Sequence, residues 1–422
     1  MSTSLLYHSF GIRDHAHVRT EYREGATFFH VAPKEDALRC PACRSRAVIR
    51  KGVIPRTLRA LPIGHRPTWI RVPVQRVGCK DCGVIRQIAL QFADPGRSYT
   101  RPFARLVLDL CQVMAIQEVA RFLGVAWDVV KGILKAHLAR RYKRPRLKHV
   151  RRLAIDEISV GKGHRYLTVV IDLDRGRVLF VGEGKGADAL KPFWRRLKAA
   201  KARIEAVAID MSPAYQRAVA ANLPKAALVF DRFHVVKLFN EKLTNLRRQL
   251  YHPGPVSPIK TTTGRRGSGD QLPDEEQRQA LKGSRWLLLK NPGNLDSNRD
   301  EQERLRKALT LNEPLATAYY LKEDLRRFWN QPDQAAGITF LLDWIERAQA
   351  SGVRMLERFA QTLINHWRGL IAYFEHPIST GPLEGLNNKI KTLKRQAYGF
   401  RDMEFFKLRI KAVHEARYAF TG

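Results

Sequence analysis

Between residues 151 and 231, short runs rich in β-branched residues alternate with stretches of helical period. RRLAIDEISV, RYLTVVIDLD and GRVLFVGEG, separated by Asp and Gly turns, predict three consecutive antiparallel strands. ADALKPFWRRLKAA then predicts a helix and EAVAID a fourth strand. SPAYQRAVAANL predicts a second helix, with Ser212 as its cap and Pro213 at its first position, and AALVFD a fifth strand. Three meandering strands followed by strand, helix, strand make a mixed five-stranded sheet in ribonuclease H-like order. In that order the ends of the first and fourth strands are neighbours, which sets Asp156 and Asp210 across one cleft.

The flanking segments carry other periods. In TWIRVPVQR, Ile70, Val72 and Val74 alternate with Arg71 and Gln75, which predicts a strand with the latter two facing outward. Ile116, Val119, Ala120 and Leu123 recur at helical spacing, Gly124 breaks the run, and Trp127, Val130 and Leu134 resume it. That pattern predicts a helix-turn-helix whose second helix offers Asp128, Lys131 and Lys135 to a partner. After Asp231 the period is helical for about 150 residues, broken by the Pro-, Gly- and Ser-rich stretch HPGPVSPIKTTTGRRGSGDQLPDEEQ, expected to be a mobile loop. In STGPLEGLNNKIKTLKRQAYGF, Gly381 is the expected N-cap, Pro382 the first helical residue and Glu384 the third. Leu383, Leu386, Ile390 and Leu393 form its apolar stripe, and Glu384, Asn387 or Asn388, Lys391 and Arg395 another side.

These patterns divide the chain into a zinc-ribbon module over 1–95, a helix-turn-helix over 96–140 and a basic linker over 141–152. The first part of the α/β core follows over 153–239, an all-helical insertion over 240–378 and the core's C-terminal helices over 379–422. The zinc assignment rests on Cys40-Pro-Ala-Cys43 and Cys79-Lys-Asp-Cys82, two knuckles separated by thirty-five residues that contain the predicted hairpin. Four thiolates from two such turns make the closed tetrahedral site that one structural Zn²⁺ prefers, whereas two disulfides are the less fitting alternative. Cys111, in the apolar run RLVLDLCQVMAI, reads as a core thiol.

Charge narrows the partner. The 422 residues hold 75 Lys and Arg against 40 Asp and Glu, a net charge of +35, and the predicted pI is near 10.5. Double-stranded DNA is the expected partner, and a basic membrane-surface helix fits less well because the charge is spread over several blocks. The densest block, RRYKRPRLKHVRR, brings Arg140, Arg141, Lys143, Arg144, Arg146 and Lys148 together and is expected to contact phosphates without reading bases. Lys131 and Lys135, and Asn387, Asn388, Lys391, Lys394 and Arg395 on the Glu384 helix, are the other candidate DNA contacts. No apolar run reaches membrane-spanning length and the first residues lack a secretory pattern, so a cytoplasmic, nucleoid-associated protein is expected.

Asp156, Asp210 and Glu384 are the acidic residues that rigid elements could bring together, and carboxylates so fixed are what phosphoryl transfer through two Mg²⁺ ions requires, with Mn²⁺ able to substitute. Each also has an ordinary explanation: strand-end acids cap turns or pair with Arg, and Glu early in a helix caps it. Glu157 and Asp172 are rivals, Glu157 facing opposite to Asp156 on its strand.

AIDEIS, the DMSPAY block at 210–215, DRFHVVKLFN at 231–240, RWLLLKNPGNL at 285–295 and PLEGLNNKIKTLKRQAYGFRD at 382–402 stand in one order behind the cysteine pairs. Together they resemble the ISL3 group of DDE transposases of bacterial insertion sequences. The resemblance implies a catalytic triad of Asp156, Asp210 and Glu384 on a ribonuclease H-like core, with a helical insertion before the third member. It marks Asp231 and His234 as auxiliary catalytic residues, because Asp231-Arg-Phe-His234 is similar to the acidic-x2-His signature of insertion-bearing transposases; a helix-capping Asp with a structural His is the equal alternative. It further implies cleavage of DNA at the element's ends, strand transfer into a target and a homo-oligomer on DNA. A DNA-binding regulator on a decayed nuclease fold, or a nuclease that cuts without joining, are the competing functions.

Overall fold

The computed structural model describes residues 5–161, 165–252 and 274–415. The expected mobile loop lies almost wholly outside them. The chain forms two compact units, Met1–Arg144 together with Thr392–Gly422, and Pro145–Lys391.

In the first unit, α1 (Leu5–Phe10) precedes a sheet of β1 (His15–Arg23), β2 (Ala26–Pro33), β3 (Val48–Ile63), β4 (Arg66–Cys79) and β5 (Ile85–Gln87). The order is β1-β2-β4-β3, with β5 also pairing β4. The predicted alternation is observed: Ile70, Val72 and Val74 are buried with Leu58, Phe29 and Val31. Gln75 departs from it. Its side chain is buried and Nε2 donates to the Gly52 carbonyl at 2.7 Å, where a register shift in β3 leaves that carbonyl outside the ladder.

Three helices follow, α2 (Arg101–Leu110), α3 (Ile116–Leu123) and α4 (Trp127–Tyr142). Gly124 adopts φ 61 at the end of α3, the left-handed position at which a helix turns out of its axis. Periodicity finds α3 and α4 and misses α2, whose start is marked only by Thr100, which accepts from the Phe103 N–H. Arg59 of β3, nearly buried, donates to the Leu123 carbonyl at 2.9 Å and lies over Trp69, tying sheet to helices. Because α4 continues to Tyr142, Arg140 and Arg141 belong to its last turn, where cations suit the exposed carbonyls, and not to a free linker.

The second unit is built on β6 (Arg152–Gly161), β7 (Arg165–Asp172), β8 (Arg177–Glu183), β9 (Ala206–Ile209) and β10 (Ala227–Phe230) in the order β10-β9-β6-β7-β8. The sheet is mixed, with β6–β9 and β9–β10 parallel and the other pairs antiparallel. Helices α5 (Ala187–Ala199) and α6 (Pro213–Asn222) are the crossovers. Ser212 sits at the cap position of α6, but its side chain makes no capping bond.

α7 (Arg232–Tyr251) starts a run continued by α8 (Glu275–Gly283), α9 (Glu301–Thr310), α10 (Glu313–Leu325), α11 (Gln334–Ala350), α12 (Arg354–Asn365) and α13 (Trp367–Ile371). These helices share one hydrophobic cluster with the sheet, which holds Val207 and Phe230 together with Phe239, whose ring meets Trp344 and Phe359. The helical segment therefore has no core of its own, and α7 runs through the boundary expected at 239–240.

α14 (Gly381–Gln396) and α15 (Met403–Ala412) complete the chain. The segment expected to belong wholly to the α/β core divides: residues to Lys391 stay with the sheet, and those from Thr392 group with the first unit, where Phe405 and Leu408 join the helix-turn-helix core. α14 ends on a turn in which Gly399 N donates to the Lys394 carbonyl at 3.0 Å and Tyr398 N to that of Arg395 at 3.0 Å. Tyr398 holds φ 50 there, where glycine is favoured and a side chain costs about 1 kcal/mol.

Close packing leaves no room at Gly369 of α13, where an added Cβ would lie 2.4 Å from the Phe230 ring. Gly369→Ala should destabilise the protein by about 1–3 kcal/mol, seen as a melting temperature lower by several degrees; an unchanged melting curve would contradict this packing.

Candidate active site and zinc centre

The parallel register fixes the first two carboxylates. Arg152, Leu153 and Ala154 of β6 pair with Ala206, Val207 and Ala208 of β9, a register that, carried two residues further, sets Asp156 of β6 level with Asp210 just past the end of β9. Such strands are about 4.8 Å apart, and β9 ends at Ile209, which frees the Asp210 side chain from the ladder. Asp210 Oδ1 accepts from the Ser212 N–H at 3.1 Å. Asp156 Oδ1 accepts from the Glu157 N–H at 2.7 Å, and its Oδ2 accepts from Asn387 Nδ2 of α14 at 2.9 Å.

Burial raises the Asp156 pKa, and the charge of Asp210 adds to the rise; the Glu157 N–H, His234 and Asn387 oppose it without cancelling it. The two rivals are engaged elsewhere. Glu157 accepts from Tyr215 Oη at 2.5 Å and from the Gly186 N–H at 3.1 Å on the opposite face. Asp172 is buried in a turn with Arg177 and the Asp174 N–H.

Asp231 follows β10 directly and is buried. Its Oδ2 caps α7 by accepting from the His234 N–H at 3.3 Å and also meets His234 Nδ1 at 3.0 Å. Its Oδ1 accepts from the Thr380 N–H at 2.8 Å. Burial raises the Asp231 pKa, but His234 and Thr380 outweigh it and the net direction is down. Burial likewise lowers that of His234, and the bond to Asp231 with the charges of Asp231, Asp156 and Asp210 turns the net direction upward. A cationic imidazole is therefore favoured facing the two strand carboxylates.

Thr380 carbonyl accepts from Leu383 N at 2.8 Å and Glu384 N at 3.2 Å, so α14 begins one residue before the expected start and Gly381 lies inside it. Glu384 is exposed, its carboxylate makes no hydrogen bond or ion pair among the described residues, and it stands one turn before Asn387. The three carboxylates do not all lie within 4.8 Å of one another; among the described residues only the cysteines form such a group.

The candidate DNA contacts divide. Arg140, Arg141, Lys143, Arg144, Arg146, Lys148, Asn388, Lys391 and Arg395 are exposed and Lys394 is half-buried. Asn387 is occupied on Asp156. Lys131 and Lys135 hold Asp402 at 3.2 and 2.7 Å, and that carboxyl is lowered to about 2 by Lys135, the Phe405 N–H and Lys131. They serve as struts to the N-terminus of α15, a role their sequence spacing does not reveal.

The four zinc-ribbon sulfurs converge. Cys40 and Cys43 precede β3, Cys79 ends β4 and Cys82 follows, so pairing of Val48 with Cys79 closes the hairpin base and joins the knuckles. Sγ atoms of Cys40 and Cys82 are 3.6 Å apart and those of Cys43 and Cys79 3.5 Å. That is far beyond the disulfide length of about 2.05 Å and near the edge of about 3.8 Å in a tetrahedron of Zn–S bonds. The backbone N–H groups of Cys43 and Ala42 lower the Cys40 pKa to about 6, while crowding by the neighbouring sulfurs and burial leave those of Cys43 and Cys82 raised.

Family comparison follows the same order. Residues 36–82 match the zinc-finger of transposase IS204/IS1001/IS1096/IS1165, residues 88–138 the helix-turn-helix domain of transposase family ISL3, and residues 153–410 the ISL3 transposase domain. All three are parts of one class of protein, the transposases. The chain belongs to the ISL3 family of transposases. It is 35% identical over 385 residues to the transposase for insertion sequence element IS1001 of Bordetella parapertussis, covering 91% of this chain and 90% of that one. It is 30% identical over 379 residues to the transposase for IS1557 of Mycobacterium tuberculosis, covering 88% and 84%. A solved structure, the Drosophila P element transposase strand transfer complex, aligns at a TM-score of 0.32 and 12% identity over 63% of this chain and 76% of that one, too distant a likeness to bear on the fold. Among the described residues no helix is long and apolar enough to cross a membrane.

Two outcomes are expected. The purified protein should carry one zinc per chain, and Cys43→Ser should lose it with a lower melting temperature; full zinc content in that variant would exclude Cys43 as a ligand. Because His234 is raised on folding, its stabilising contribution is complete below its unfolded value of about 6.5 and fades as pH rises through the higher folded value. The stability difference between wild type and His234→Gln should thus be larger at pH 6 than at pH 9, and a pH-independent difference would contradict the ion pair.

Proposed function

We propose that this transposase cleaves DNA strands at the ends of an insertion sequence and joins them to target DNA at a DDE site formed by Asp156, Asp210 and Glu384 on a ribonuclease H-like core. The observation that carries this reading is the level placement of Asp156 and Asp210 on adjacent parallel strands, with the Glu384 helix bonded to Asp156 through Asn387.

The donors suit a hard divalent cation, Mg²⁺ or Mn²⁺. Asp156 and Asp210 are partly buried beside each other, and Asn387 Oδ1, buried next to Asp156, has no hydrogen-bond partner among the described residues. Asp156, Asp210 and Glu384 would hold the ions. Two divalent ions held there would supply the charge that activates a water or a DNA 3′-hydroxyl and stabilises the leaving oxygen of an in-line displacement.

The chain's own groups supply the rest. Asp156 and Asp210 are immobile because one is inside a strand and the other leaves a buried strand through a side-chain-bonded turn. Glu384 approaches from a helix whose first turn is pinned to Asp231 and whose second touches Asp156. His234, held by Asp231 and favoured as a cation, offers positive charge toward a phosphate at the strand carboxylates. Exposed Lys391 and Arg395 further along α14, with the Arg140–Lys148 block, suit the flanking DNA backbone. A homo-oligomer holding two DNA ends together belongs to this reading.

Asp156→Asn, Asp210→Asn and Glu384→Gln should each lower strand cleavage by about three orders of magnitude or more while retaining binding to end-containing duplex DNA. Normal strand transfer by any of them would remove that residue from the site. Wild-type protein that binds such DNA without cutting it would favour a regulator, and one that cuts without joining would favour a simple nuclease.

A further inference from the structure

The helix-turn-helix unit contains a cleft of 1220 Å³ that the proposed chemistry does not use, bounded by the α2–α3 turn, the start of α4 and residues 393–409. Its volume exceeds that of most small-molecule sites, about 300–1,000 Å³. Its lining combines cations and rings: Trp127, Lys131, Tyr398, Phe400, Arg401 and Arg409. The acids on its wall are already satisfied, Asp402 by Lys131 and Lys135 and Glu118 by Arg121. The guanidinium groups of Arg401 and Arg409 make no hydrogen bond or ion pair among the described residues. Arg409 is withdrawn from bulk water, and that burial lowers its pKa with only the Cys111 thiol opposing. A guanidinium so placed favours an anion.

The rim carries the second observation. Tyr398 is 100% exposed, yet it occupies the left-handed position ending α14, where glycine would be less strained. The ring contributes no burial, so the folded chain gains nothing from it in compensation. Trp127 is 40% exposed at the start of α4, where its spacing predicts a core position. Exposed rings beside unpaired arginines match a ligand with a flat π face and a phosphate, and the chain's charge of +35 favours a polyanion.

We propose that this cleft binds an unpaired DNA nucleotide, its base stacking on Tyr398 or Trp127 and its phosphate held by Arg401 and Arg409. A paired base cannot enter, because its faces are covered in the duplex; the site selects nucleotides that have left the stack. It rests on the reading that the protein acts on DNA.

The test uses full-length, zinc-loaded protein without magnesium and compares a fluorescein-labelled oligothymidylate with a duplex of equal length by anisotropy. Tyr398→Gly relieves the strained backbone and is expected to fold normally, and Arg401→Gln alters an exposed side chain. Each should weaken oligothymidylate binding about fivefold or more and leave duplex binding unchanged. Unchanged oligothymidylate binding overturns the proposal, as does equal weakening of both ligands, which would mark a general phosphate surface. A changed oligomeric state with unchanged oligothymidylate binding overturns it in favour of a contact between copies of the chain. Duplex binding and cleavage by the wild type report separately on the DNA-acting reading.

Discussion

A buried carboxylate is tolerated only when donors replace the water it has lost. Asp231 meets that condition by serving two helices at once. Its Oδ2 takes the first-turn N–H and the ring of His234, and its Oδ1 takes the Thr380 N–H 149 residues further along the chain. The sheet edge, the start of α7 and the start of α14 are thereby fixed to one side chain. Once the first turn of α14 is fixed, helical geometry determines the rest: Asn387 reaches Asp156, and Glu384 stands about 4.5 Å back along the axis. The described helices between α7 and α13 share their core with the sheet, and the chain that follows them reaches this edge at Thr380.

What was legible in the sequence is whatever a local period or a short register dictates. The five strands and their crossovers follow from alternating composition, and the level placement of Asp156 with Asp210 follows from two runs of similar length in parallel. The cysteine knuckles were legible because spacing alone defines such a turn. Asp231-Arg-Phe-His234 announces a helix cap, but nothing local shows that the second oxygen of that cap serves Thr380. The same limitation hid the start of α14. Gly381 and Pro382 have the composition of a helix entrance, whereas the actual cap position belongs to the buried Thr380, selected by a tertiary bond.

Charge was the least legible property at residue level. A chain with 75 cations and 40 acids must leave many cations unpaired, but composition cannot say which. Lys131 and Lys135 have the spacing of an outward recognition face, yet Asp402 lies against that face and takes both. Arg401, its neighbour, has no such partner among the described residues. Assigning DNA contacts by position on a helix therefore fails where a distant segment of the same chain folds over it. The named cations of the block from Arg140 to Lys148, by contrast, remain exposed.

The electrostatics of the proposed catalytic site can now be weighed as a whole. Two carboxylates at one level on neighbouring strands repel each other, and partial burial adds to that cost, as the raised Asp156 pKa records. The Glu157 N–H, His234 and Asn387 offset part of it, and against burial the bond between Asp231 and His234 draws the pKa of the first down and that of the second up. Were these contacts meant only for stability, a neutral side chain in place of one aspartate would serve better, because the strand core around Ile155, Ala208 and Ile209 is otherwise apolar. The fold instead retains like charges side by side and leaves Glu384 exposed on the adjoining helix. Under the proposed reading, divalent cations held by Asp156, Asp210 and Glu384 would offset that repulsion, and metal affinity would come from the imbalance among these carboxylates.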